Sequence, residues 1–286
     1  MSSTVSPSVP TRRPRSTAQT ATSLARVLAL VLVIAGFLLP LLWMVLASLK
    51  TNLDITDPSK TLVFGPTLDN YRTVFGQENF LPFIWNSFVI GFASTGLSLI
   101  LGVPAAYAMS RFDMRRSSAL VLMARIIPGV SLLVPWYYVF SNLRLVGNYS
   151  ALILSHMFVA LPLIVWIMMS YFDQMPTELE ESAQVDGLTP IGAFLRISLP
   201  LSMPGIATAS ILAFIFSWNN FMFALVLSGE NTRTLPVAIF NFIAYANIDW
   251  GGLMAAATVI TVPIMVLALF MQRYIVAGMT AGATKG

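Results

Sequence analysis

The 286-residue sequence contains no cysteine, which removes disulfide frameworks, thiolate metal sites and cysteine nucleophiles at once. Histidine occurs once, as His156, and charged residues make up 10% of the chain, against roughly 25% in soluble domains. A phosphate-binding Gly-Lys-Ser/Thr core is also missing: Lys50 and Lys60 precede Thr but follow Leu and Ser, and Lys285 precedes Gly. The chain is therefore expected to hydrolyse no nucleotide. An intramembrane enzyme needs a nucleophile with a base, or a metal cluster, and this composition comes close to excluding one. What is abundant is apolar: 57% of residues are hydrophobic and the mean hydropathy is +0.78, which places the chain in a lipid bilayer. The net charge of +4 is scattered over short loops rather than gathered on one face, so nucleic acid is not an expected partner.

Apolar runs of about 20 residues cross ~30 Å of hydrocarbon as helices. Such runs fall near 27–49, 84–109, 117–140, 150–171, 203–227 and 252–272, and predict an all-α integral membrane protein with six transmembrane helices. Residues 1–22, rich in Ser, Thr and Pro with Arg12, Arg13 and Arg15, predict a disordered tail. Residues 23–286 then form the membrane domain, with a core over about 80–273. The first run exceeds the roughly 7–15 residue apolar segment of a signal peptide, so it is expected to stay as an uncleaved helix. Positive residues are retained on the cytoplasmic side. With the N-terminus inside, that side collects Arg12, Arg13, Arg15, Arg26, Arg111, Arg115, Arg116, Arg196, Arg273 and Lys285, leaving Lys50, Lys60, Arg72, Arg144 and Arg233 outside. Both termini and the loop 172–202 are thus expected in the cytoplasm.

That loop is more structured than a connection requires. Thr177 and Glu180 have capping-box spacing, and Glu178, Glu180 and Glu181 suit the first turns of a helix, where its dipole favours negative charge. Asp186-Gly187 supplies a stop, and Thr189-Pro190 a second start. Ile191, Phe194 and Leu195 follow the i, i+3, i+4 pattern of one apolar face. Local physics leaves two readings of this helix–turn–helix: a connection packed on its own spans, or a docking surface for another subunit.

The same loop carries a signature. Glu181-Ser182-Ala183, three residues, Gly187, nine residues, then Ile197-Ser198-Leu199-Pro200 resembles the E-A-A…G…I-x-L-P motif of importer-type ATP-binding cassette permeases. Ser182 and Leu188 are departures from the common form. Asn86-Ser87, Arg125 with Pro128, Trp218-Asn219 and the ending Gly278-Met279-Thr280-Ala281-Gly282-Ala283 before Lys285-Gly286 are similar to the carbohydrate-uptake branch, which includes the smaller membrane subunit of the maltose importer. The resemblance implies a type I importer permease fold with a coupling helix between helices 4 and 5. It implies that Glu181, Ser182, Ala183, Asp186 and Gly187 contact an ATPase subunit, while Ile197, Leu199 and Pro200 set the angle of that helix. It further implies two ATP-binding cassette ATPase subunits holding ATP and Mg, and a second, different permease chain. An extracytoplasmic sugar-binding protein is expected at the outer loops, with Asn231 to Tyr245 and Trp250 as the contact. A multi-pass place in a bacterial or archaeal cell membrane completes the picture.

Polar side chains in apolar spans offer two further readings. Asn86, Arg125, Asn219 and Asn220, near Trp136, Tyr137, Tyr138 and Trp218, are the chemistry a sugar path needs; buried amides also simply hold membrane helices together. His156 is either a satisfied polar group or a proton relay. Arg125 snorkels, pairs or faces water. A self-sufficient secondary sugar carrier is the alternative function, but the six spans contain no Asp or Glu and no convincing internal repeat.

Overall fold

The computed structural model describes residues 17–243 and 248–280. Helix α1 (Thr17–Ser48) begins inside the stretch 1–22 expected as a tail, the rest of which lies outside the described residues. Two short helices, α2 (Asn52–Thr56) and α3 (Asp69–Arg72), lead to α4 (Leu81–Arg111). A turn at 112–114 connects to α5 (Arg115–Ala124), α6 (Leu133–Asn142) and α7 (Tyr149–Phe172). The next loop holds α8 (Glu178–Val185), α9 (Pro190–Ala193) and α10 (Leu199–Leu201). Then come α11 (Met203–Trp218), α12 (Met222–Leu227), α13 (Leu235–Ala238) and α14 (Trp250–Thr280).

Within α1, α4, α7 and α14 lie four stretches long and apolar enough to cross a bilayer unbroken. Two further apolar segments are bent: the α5 and α6 pair turns by 87°, and the loop segment Pro190–Leu201 meets α11 at 71°; counted as one crossing each, they give up to six, the number expected. Two expected spans are corrected: 117–140 and 203–227 are not single helices. In the first, Pro128 takes φ −62°, ψ 129°, and a residue before proline avoids helical geometry, so the ladder stops at Arg125. In the second, the chain leaves the helix after Trp218, and Asn220 Oδ1 accepts the Phe223 N–H at 3.1 Å to start α12. Pro104, Pro162 and Pro263, by contrast, sit inside α4, α7 and α14 without ending them.

The core lies where α4, α7 and α11 meet. A Cβ at Gly102 would stand 3.0 Å from the Ile164 side chain, and Ala106 is fully buried beside it, so small residues let α4 approach α7 closely. Val103, Val165, Met168, Phe172 and Ala209 fill the seam. α1 packs along α14, with Phe37 and Leu39 among its exposed apolar side chains, as a span bathed in hydrocarbon allows.

The two ends of the bundle differ. The loop end carries residues 112–114 and 173–202. The cap end carries 49–80, 143–148, 228–243 and 248–249, sewn together by Asn52 to Asp249 (2.9 Å) and Thr232 Oγ1 to the Gly147 carbonyl (3.0 Å). Lys50, fully buried there, donates to the carbonyls of Lys60 (2.9 Å) and Thr61 (2.7 Å) between the rings of Trp43 and Phe64.

Candidate functional site

At the loop end, α8 opens with Glu178, Glu180 and Glu181 in its first turn, where the helix dipole favours them. The expected capping box does not form. Thr177 is itself helical (φ −69°, ψ −26°), so its hydroxyl caps nothing, and the Glu180 side chain turns into the protein instead of back toward the helix start. The stop is as expected: Gly187 has φ +96°, its N–H donates to Gln184 O, and Leu188 N–H donates to Ala183 O, both at 3.0 Å. This paired closure satisfies the last carbonyls of α8 and needs a left-handed residue at position 187. Thr189 then caps α9, accepting the Gly192 N–H at 3.1 Å.

Glu180 is the residue that sequence reasoning missed. Its side chain is 6% exposed and forms an ion pair with Arg111 at 2.9 Å. Arg111 Nε donates to the same carboxylate, and Tyr107 Oη and Ser198 Oγ each donate to it at 2.7 Å. The Arg111 guanidinium also donates to the carbonyls of Phe172 (3.0 Å) and Met175 (3.2 Å). Burial pushes the Glu180 carboxyl up, but the donors from Arg111, Tyr107 and Ser198 outweigh it and hold the group below its ordinary value. The available signal was faint: Tyr107 and Arg111 stand four residues apart on one face at the end of a span.

The other face of the loop is open. Val185 is 88% exposed, Ile191 72% and Leu195 53%, and Glu181, Ser182, Asp186 and Gly187 are exposed with them. Two expectations change here. Ala183 is buried rather than presented, and Phe194 leaves the expected face of Ile191 and Leu195 to pack against Tyr107 and Phe172. Ile197 and Leu199 are half-buried, Leu199 against the main core, and Pro200 is exposed.

The residues expected along a sugar path are not brought together; among the described residues no hydrogen bond joins any two of them. Asn86 is corrected to a structural role. It is buried, donates to the carbonyls of Asn231 (3.0 Å) and Arg233 (2.8 Å), and accepts from the Tyr149 hydroxyl, so its amide is spent on the cap. Asn219 is exposed and donates back to Ile215 O in its own helix, while Asn220 caps α12. Arg125 is exposed at the α5 break, its guanidinium 4.8 Å from the Trp166 ring, and it lines a cavity of about 250 Å³ with Phe158, Pro162 and Phe216. His156 is fully buried, with Nδ1 2.7 Å from Ser217 Oγ, which lies 3.2 Å from Ser94 Oγ. Among the described residues no cluster suits a metal ion.

Residues 98–281 match the family described as binding-protein-dependent transport system inner membrane component. The chain belongs to this family. As a member of the permease family it shares 38% identity over 261 residues with the trehalose transport system permease protein SugB of Mycobacterium tuberculosis, covering 89% of this chain and 95% of that one. The trehalose/maltose transport system permease protein MalG of Thermococcus litoralis is 36% identical over 257 residues, covering 87% and 92%. A chain from the crystal structure of a bacterial ABC transporter that imports alginate superposes with a TM-score of 0.79 at 19% identity, covering 92% of this chain and 99% of that one. The fold is therefore that of importer permeases, as the sequence resemblance implied.

Proposed function

We infer that this chain is the membrane-spanning permease subunit of an ATP-driven sugar importer, forming half of the translocation path and taking its energy from a partner. The observation that carries the reading is the two-sided loop: its inner face is locked into the bundle by Glu180, while Val185, Ile191 and Leu195 on its outer face stand exposed beside a Gly187 stop. An apolar patch of this kind at a polar surface calls for a protein partner. Family membership supports an ATPase subunit as that partner, with ATP and Mg held there and Glu181, Ser182, Asp186 and Gly187 in the contact. Ala183 contributes from beneath, and Ile197, Leu199 and Pro200 set the angle of the loop against the bundle.

The relatives named for trehalose and maltose support an oligosaccharide or disaccharide as cargo. A second permease of different sequence completes the path, to which Arg125, Asn219 and Asn220 contribute from the two helix breaks. The Lys and Arg distribution supports a multi-pass place in a bacterial or archaeal cell membrane with both termini and the loop end in the cytoplasm. The cap end then faces an extracytoplasmic sugar-binding protein, with Asn231 onward and Trp250 in the contact; residues 244–247 of that stretch lie outside the described residues.

The test is a single Cys at the exposed Val185, in a chain with no other Cys, crosslinked in membranes holding the native partners. A crosslink to an ATPase subunit that changes with ATP is the expected result. Its absence with that subunit present and the permease inserted, or uptake that persists on an ion gradient without ATP, would overturn the reading.

A further inference from the structure

We propose that Glu180 is a positioning residue of the coupling cycle, and that its buried ion pair with Arg111 is the joint through which movement of α8 reaches α4, α7 and α11 together. The proposal rests on the reading of α8 as an ATPase-docking helix. Little else anchors α8. Only Glu180 and Ala183 of its eight residues are buried, while Leu179 and Val185, its large apolar side chains, are 44% and 88% exposed. A buried methyl gives contact without direction; it resists a push but not a pull or a slide. Hydrogen bonds to a carboxylate are directional and, when charge-assisted, about twice as strong as neutral ones.

The donors to that carboxylate come from two mechanical parts. Tyr107 and Arg111 come from the last turns of α4, and Ser198 from the turn that enters α10 and α11. Arg111 extends the joint to the end of α7 by its bonds to the carbonyls of Phe172 and Met175. Ser110, bonded to Asp173, repeats the α4 to α7 tie one residue earlier without involving α8. One side chain thus links the docking helix directly to α4 and to the turn that leads into α10 and α11, and through Arg111 to the end of α7. Arg111 and Ser110 still tie α4 to α7 when the Glu180 charge is removed. The joint transmits; it does not hold the core together.

Glu180→Gln tests this, since the amide keeps the size of the side chain and one acceptor oxygen while losing the charge and the second acceptor. Arg111→Lys is its counterpart, keeping the charge but reaching fewer partners. Each variant is placed in the full importer in proteoliposomes, with ATPase pair, second permease and binding protein, and the readout is sugar transported per ATP hydrolysed. We expect both to insert and to keep the ATP-dependent crosslink at Val185, with ATP hydrolysis continuing while transport per ATP falls at least about tenfold. An unchanged ratio, or transport and hydrolysis falling in parallel with the amount of assembled complex, would overturn the joint. If neither variant inserts, Tyr107→Phe and Ser198→Ala each remove one donor, and an unchanged ratio in both is the overturning result. A wild-type complex that never crosslinks at Val185 would remove the docking reading and the joint with it, whereas a crosslinked wild type with coupled variants removes the joint alone.

Discussion

At the loop end a buried carboxylate takes its partners from the side chains of separate helices; at the cap end Asn86 and Lys50 spend their donors on backbone carbonyls of connecting segments. The two arrangements do different mechanical jobs. A side chain bonded to loop backbone fixes the path of the loop, whatever side chains the loop carries. Side chains bonded to one another across helices bind the helices, and any force on one is felt by the rest. The charges differ in the same sense. Both members of the Arg111–Glu180 pair are buried, at 11% and 6% exposed, so losing either strands the other in the interior, whereas in the cap-end pair Asp54 is 10% exposed but Lys60 is 48% exposed, so that cation stays open to water.

The largest effect is expected at Gly187. Proline there cannot adopt φ +96° and loses the N–H that closes α8, at a local cost of about 3 kcal/mol or more. Gly187→Pro should abolish uptake while ATP hydrolysis by the assembled complex continues and the protein remains inserted; normal uptake by this variant would count against the docking role. Arg111→Ala comes next. It leaves Glu180 buried without its cation, an effect of about 3–5 kcal/mol, read as a drop in the thermal stability of the purified complex. Asn86→Leu sharpens the contrast from the other end. It strips the Asn231 and Arg233 carbonyls of their donor and should cost about 1–3 kcal/mol of stability, yet leave transport per ATP at the wild-type value. A fall in that ratio would mean the two ends are not separable.

What could be read from the sequence followed local rules. The lengths of the apolar runs placed six crossings, and the Asp186-Gly187 and Thr189-Pro190 pairs placed the stop and restart of the loop, because φ preference and capping act over a few residues. The breaks in the third and fifth spans do not follow from the lengths of the apolar runs. Pro128 ends a helix while Pro104, Pro162 and Pro263 do not, and of the four only Pro128 is followed by a glycine, a pair that favours a turn over a continued helix. Glu180 shows the limit of local rules at the candidate site. Its spacing from Thr177 suits a capping box worth about 1 kcal/mol, and that local bond lost to three donors that meet it only after the end of α4 and the turn before α10 have packed on α8. Asn86 fell between its two readings until the cap supplied the carbonyls that decide for structure.

The smallest expected effect is the dependence of the loop end on pH, and its sign follows from the direction of one shift. Glu180 is held below its ordinary value in the folded protein, so the unfolded chain takes up its proton at a higher pH than the folded one does. The stabilisation from the joint is therefore complete above the ordinary carboxylate range and is lost as pH falls through the lowered folded value. Asp54, Asp57 and Asp69 at the cap end are also held low, the first chiefly by Lys60, the second by Ser59 and the third by Thr67 and Arg72. Their contribution is common to wild type and a Glu180→Gln variant and cancels between them. Thermal unfolding of both proteins across the acidic range isolates the loop end: the stability difference between them should be constant at neutral pH and shrink on acidification. A difference that stays flat to the acid limit would show that the Glu180 charge contributes nothing to holding α8 in place. The two ends would then differ only in where their hydrogen bonds go.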